Sequence, residues 1–228
     1  MFFLNFPLFL INFKCYEEAI GDNAKRLALA SKKISEELNI DIFLAPIYTD
    51  IREISKLNVK VFAQGADPVE PGSYTAHVPL EAIKAAGAIG VIINHSEKRL
   101  NYEAIEFLVK KCKKLSLISL VCGASVEECL NLAKIKPDII AIEPPELIGT
   151  GKSVSKYKPE SILMTVKLVK EFDKNIHVIC GAGISNAEDV SEALKLGAEG
   201  ILVSSSIVKA ENQEEKIREL ALVFKSHK

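Results

Sequence analysis

The chain has 228 residues with 29 Lys+Arg against 30 Asp+Glu, a formal net charge of −1, and 48% hydrophobic residues. That balance lacks the basic surplus of a nucleic-acid binder, and the apolar content is far above that of a disordered chain. The five cysteines are scattered without a CxxC pair, which implies neither a disulfide framework nor a zinc site and points to a reducing cytoplasm.

The first element is an apolar run, MFFLNFPLFL over residues 1–10, whose first basic residue, Lys14, lies behind it. A secretory signal carries its basic residues ahead of the apolar run and a small-residue cleavage site after it, and a membrane-spanning helix needs about 20 apolar residues. The run is therefore read as leading into a buried first strand, LFLINF (8–13). Seven further short apolar runs follow: IDIFLA (40–45), VKVFAQ (59–64), IGVIIN (89–94), LISLVC (117–122), DIIAI (138–142), HVIC (177–180) and GILVS (200–204). They are apolar almost throughout, as strands of a parallel sheet covered on both faces must be. Amphipathic helical stretches alternate with them, among them residues 17–38, 101–115 and 211–224.

Parallel strands require such crossovers, so the alternation implies α/β architecture. Eight units in 228 residues leave about 28 residues each, near the ~30 of a βαβ unit, and favour a (β/α)8 barrel formed as one domain over residues 1–228. A doubly wound open sheet has the same periodicity and remains the alternative.

A barrel of this kind places its chemistry on the loops that follow the strands. At those positions stand Asn12 and Lys14 after strand one, Gln64 after strand three, and Asn94, His95, Ser96 and Glu97 after strand four. Glu143 follows strand six, Gly181-Ala182-Gly183 strand seven, and Ser204-Ser205-Ser206 strand eight. Loops are polar for solvation alone, which accounts for the serines and Gln64. It accounts less well for a lysine, a histidine and a glutamate directly at the ends of apolar strands.

Three runs carry phosphate-like signals. Ile148-Gly149-Thr150-Gly151-Lys152-Ser153 has the tail of a P-loop, but Glu146 occupies the position of its first glycine. Gly181 to Asn186 forms a strand-to-helix turn suited to an anion cradle, with Asn186 placed to cap the next helix. The serines at 204–206 open the last unit, so the last two runs occupy the loops from which barrels often build a phosphate site.

Taken in order, these segments resemble the triosephosphate isomerase family. Asn12-Phe13-Lys14 resembles its N-x-K, and His95-Ser96-Glu97-Lys98-Arg99 its HSE-[KR]-R. Glu143-Pro144 with Ile148-Gly149-Thr150-Gly151-Lys152 resembles the catalytic-glutamate segment and lid, and Cys122-Gly123 and Cys180 to Ile184 resemble the ends of strands five and seven. The resemblance runs from about residue 10 to residue 210 and is similar in wording to the shorter, archaeal branch. The chain departs from the family at Pro145-Glu146, where most members have a lid tryptophan, at Ser204-Ser205, where the usual pair is Gly-Gly, and at Gly183, where serine is usual.

The resemblance implies a TIM barrel that interconverts dihydroxyacetone phosphate and D-glyceraldehyde 3-phosphate through an enediolate, in glycolysis and gluconeogenesis. Glu143 is then the base, His95 the neutral electrophile, Lys14 the fixed positive charge and Asn12 its orienting partner, a division of labour that belongs to the family. Glu97 is expected to pair with Lys14. A helix starting near Glu103 is expected to help keep His95 neutral. Ile148, Gly149, Gly181, Gly183, Ser204 and Ser205 are expected to hold the substrate, under a lid formed by residues 144–154. No cofactor, metal, nucleic acid or membrane is implied. The expected state is a cytoplasmic homo-oligomer, tetramer over dimer, with Thr75 reaching a neighbouring subunit.

Overall fold

The computed structural model describes residues 5–144 and 158–226. Eight parallel strands, β1 (Leu8–Asn12), β2 (Ile42–Ala45), β3 (Lys60–Ala63), β4 (Gly90–Ile93), β5 (Ile118–Gly123), β6 (Ile139–Ile142), β7 (His177–Cys180) and β8 (Gly200–Val203), close in sequence order into a barrel. Closure excludes the open sheet.

Between the strands lie α1 (Asp22–Leu38), α2 (Ile51–Ser55), α3 (Leu80–Ala85), α4 (Tyr102–Leu115), α5 (Val126–Ala133), α6 (Pro159–Phe172) and α7 (Ala187–Lys195). The short α8 (Ser205–Val208) and α9 (Gln213–Lys225) follow β8. The helix expected over 17–38 is interrupted. Glu17–Ala19 form a 3-10 turn, Gly21 takes φ +60°, and α1 begins only after it. Asn101, Ser125, Asn186 and Asn212 accept from backbone N–H groups at the starts of α4, α5, α7 and α9, meeting donors that a helix cannot satisfy internally.

The apolar strands serve two cores by alternation. Leu8 and Leu10, Phe43, Phe62, Ile92, Leu120, Ile139, Ile179 and Leu202 fill the barrel, while Phe9 and Ile11, Leu44, Val61, Val91, Ile140, Val178 and Ile201 pack outward against the helices. The Phe43 and Phe62 rings meet edge to face at 5.8 Å inside the barrel. Outside it, Phe9 stacks on Phe224 of α9 at 5.2 Å.

The barrel shuts along the seam between β1 and β8, where Leu8 pairs with Gly200. Gly200 has φ +153°, and a Cβ there would stand 2.3 Å from the Leu8 carbonyl oxygen and 2.7 Å from its nitrogen. Those atoms belong to backbone and cannot turn aside. Gly200→Ala is therefore expected to destabilise the fold by about 3 kcal/mol or more in urea denaturation, at the upper end of overpacking costs. A loss under about 0.5 kcal/mol would show that the seam is not close-packed.

Candidate active site

The inward-facing register of the strands, continued past the last apolar layer, brings polar side chains to the C-terminal mouth. Leu8 and Leu10 lead to Asn12, Phe62 to Gln64, Ile139 and Ala141 to Glu143, Ile179 to Gly181, and Leu202 to Ser204. Asn12, Gly181 and Ser204 line a cavity of ≈ 450 Å³ together with Lys14, His95, Gly183, Ser205 and Ser206.

Lys14 has a left-handed backbone, φ +49°, held from both sides. Its N–H donates to Asn12 Oδ1 at 3.0 Å, and its carbonyl accepts from Gln64 Nε2 at 2.9 Å, a nitrogen that also donates to the Ala45 carbonyl. The Lys14 ammonium, largely enclosed, reaches Glu97 Oε1 at 2.8 Å. The strand-end position of Gln64 was the available signal for its role, and polarity alone undersells it: it fastens the turn that carries the cation. Tyr16 also lines the cavity, and no sequence pattern singled it out.

His95 is nearly buried. The Glu97 backbone N–H donates to its Nδ1 at 3.2 Å, so Nδ1 is an acceptor and the ring's proton belongs on Nε2, which faces Glu143 Oε1 at 3.7 Å. Burial, then the nearby Lys14 charge, pushes the imidazole pKa down to about 4 against an opposing pull from Glu97. The expected helix contribution is replaced: α4 begins at Tyr102, seven residues beyond His95. A helix end acts within about its first turn, so burial and Lys14 keep the ring neutral.

Glu143 is 1% exposed, and neither carboxylate oxygen has a hydrogen-bond partner. Burial pushes its pKa up to about 8, against downward pulls from Cys122, the Ser96 amide and Lys14. It does not line the cavity itself but packs against Gly181, where a Cβ would stand 2.4 Å from Glu143 Cγ and 2.9 Å from Oε1. Gly181, expected only as part of an anion cradle, thus also makes room for this carboxylate.

Gly183 takes φ +72°, giving the loop after β7 its inward turn. Ser204 precedes α8, and its hydroxyl and that of Ser206 are buried without a partner. Thr75 lies in a run of exposed residues, with Tyr74 53% exposed beside it. Ile148, Gly149 and the expected lid beyond Pro144 lie outside the described residues. Cys122 and Cys180 are fully buried, the Cys180 thiol pushed up to about 12, and both are thiols rather than nucleophilic thiolates. Among the described residues no group of three His, Cys, Asp or Glu could hold a metal ion, and no helix is long and apolar enough to cross a membrane.

Residues 7–220 match the family described as triosephosphate isomerase. Curated relatives include the triosephosphate isomerase of Methanocaldococcus jannaschii, 50% identical over 214 residues covering 93% of this chain and 98% of that protein. That of Caldivirga maquilingensis is 48% identical over 216 residues, covering 94% and 96%. The fold is similar to the crystal structure of triosephosphate isomerase from Bartonella henselae, with a TM-score of 0.73, 18% identity and coverage of 97% and 99%.

Proposed function

The chain belongs to the triosephosphate isomerase family, and on that premise we propose that it interconverts dihydroxyacetone phosphate and D-glyceraldehyde 3-phosphate, with Glu143 as the base and His95 as the electrophile. The observation that carries this reading is the pairing of a desolvated carboxylate with a neutral imidazole, 3.7 Å apart, the imidazole lining a cavity that also holds a lysine.

Glu143 takes a proton from the hydroxymethyl carbon of dihydroxyacetone phosphate. The C–H electron pair becomes the carbon–carbon double bond of the enediolate, and the carbonyl π electrons move to oxygen. The His95 Nε2–H donates to that oxygen as charge develops on it, and Lys14, oriented by Asn12 and paired with Glu97, supplies fixed positive charge. Glu143 returns the proton to the neighbouring carbon as the hydroxyl proton of the first carbon passes by way of the His95 imidazole to the oxygen of the second, so the O–H electron pair becomes the aldehyde π bond and no redox or cofactor step is needed. Gly181, Gly183, Ser204 and Ser205 hold the phosphate. The family resemblance assigns Ile148 and Gly149 to substrate binding and residues 144–154 to a lid whose role is to exclude water and protect the enediolate. The enzyme serves glycolysis and gluconeogenesis in the cytoplasm as a homo-oligomer, a tetramer rather than a dimer, with the exposed Thr75 loop against a neighbouring subunit.

A coupled assay of glyceraldehyde 3-phosphate isomerisation tests the activity. Turnover is the expected result. Tight binding of the triose phosphate without turnover would make the chain a binding barrel, and neither would point to a different phosphate-binding barrel enzyme. Lys14→Met is expected to lower kcat/KM about 10- to 100-fold, the size of one lost charged hydrogen bond, with much of the change in KM. An unchanged kcat/KM removes Lys14 from the site.

A further inference from the structure

Asn94 precedes His95 in sequence and closes the turn on which His95 stands. In β4, Ile92 faces the barrel interior while Val91 and Ile93 face the helices. A continued strand would therefore carry residue 95 outward with 91 and 93. Asn94 instead takes φ +63°, a left-handed backbone that glycine adopts more easily than any residue with a Cβ, and His95 turns back over the mouth toward Glu143.

The asparagine side chain supplies what a glycine could not. It is buried, and its amide bonds to two elements and to the far end of its own loop. Nδ2 donates to the Cys122 carbonyl of β5 at 2.9 Å and to Glu128 Oε1 of α5 at 3.3 Å, while Oδ1 accepts from the Leu100 N–H at 2.9 Å. Arg99 completes a ring by pairing with Glu128 and donating to the Asn94 carbonyl at 3.4 Å. Glu128 is anchored in turn by the Ala124 N–H at 2.7 Å. Loop 94–100 is thus tied at both ends to the neighbouring strand and helix.

We propose that Asn94 is a positioning residue for His95, its buried amide acting with Glu128 and Arg99 to fix where the imidazole stands relative to Glu143. The inference rests on the reading of His95 as electrophile and Glu143 as base. A catalytic group displaced by about 1 Å can lose ~10²-fold in rate, so a clamp at the residue next to His95 acts on turnover more than on substrate affinity.

The experiment uses the full chain. Wild type and His95→Gln are assayed first. An active wild type with a crippled His95→Gln supports the site reading, whereas an inactive wild type or a fully active His95→Gln overturns that reading, and the positioning role falls with it. Asn94→Gly accepts the left-handed backbone and deletes all three side-chain bonds. It is expected to lower kcat about 10- to 100-fold with KM within about twofold. The 15N resonances of the His95 ring should move from the single Nε2–H tautomer toward a mixture. Glu128→Ala should act in the same direction, and the double variant should lose less than the two single losses combined, as two parts of one clamp must. Wild-type kcat with unchanged His95 resonances in a folded Asn94→Gly protein overturns the proposal, as do strictly additive losses. If Asn94→Gly does not fold, Glu128→Ala, which leaves the Asn94 backbone alone, decides by the same kcat, KM and 15N readings.

Discussion

Glu143→Gln is expected to slow isomerisation about 10²–10⁴-fold, the usual contribution of a positioned general base, while making the protein more stable at alkaline pH. Both effects have one cause. The wild-type carboxyl is buried without hydrogen-bond partners and holds its proton up to about pH 8, against an ordinary value of 4.5. The folded state therefore binds this proton more tightly than the unfolded chain. The group costs no stability while both states are protonated below about pH 4.5, and the cost of the buried charge grows as pH rises from there through about 8. Each tenfold difference in proton affinity between the two states is worth about 1.4 kcal/mol, so the cost at pH 9 is on the order of a few kcal/mol. Urea denaturation of wild type and Glu143→Gln should give similar stabilities at pH 4.5 and a variant advantage at pH 9. A constant difference across that range would mean that the carboxyl is not desolvated. The same raised pKa puts the acid limb of the wild-type kcat/KM profile near pH 8, because the base must be ionised in the free enzyme. The site thus carries a stability cost in exchange for a reactive base, a common trade at active sites.

His95→Gln should lower kcat about 10²–10³-fold, the loss typical of one preorganised donor to a developing oxyanion. Glutamine keeps an N–H donor but lacks a ring held by the Glu97 N–H at Nδ1, so its donor is not fixed toward the substrate. The stability sign is opposite to that of Glu143. His95 is depressed from 6.5 to about 4 in the folded state, so the unfolded chain takes up a proton first as pH falls. The stabilisation is present above about pH 6.5 and is lost as pH falls toward about 4. Wild type should therefore lose more stability than His95→Gln between pH 7 and pH 4. Parallel losses in the two proteins would show that the imidazole is solvated and free to protonate.

The strands were legible because burial on both faces leaves an apolar run of defined length, and each expected run overlaps an observed strand whose ends lie within two residues of its own. Which face of each strand points inward was not legible, because the runs are apolar on both faces; in the structure Asn12, Gln64, Glu143, Gly181 and Ser204 continue the inward set by strict alternation. His95 breaks that rule. Only the left-handed turn at Asn94 brings it inward, and asparagine is one of several residues that tolerate such a backbone. The break between Glu17–Ala19 and α1 was likewise hidden, because amphipathic spacing continues through Gly21 while the Asp50 carboxylate that accepts from its N–H at 2.8 Å comes from the next unit.

By itself the sequence determined the repeating unit, the strand ends and the chemical character of the side chains at the mouth, because these depend on local period and residue type. Tertiary structure decided closure at Leu8 and Gly200 and the opposite pKa shifts of His95 and Glu143. Each of these is set by atoms brought together from distant parts of the chain. Desolvation above all is a property of the whole enclosure around a group, and the spacing of neighbouring residues does not encode it.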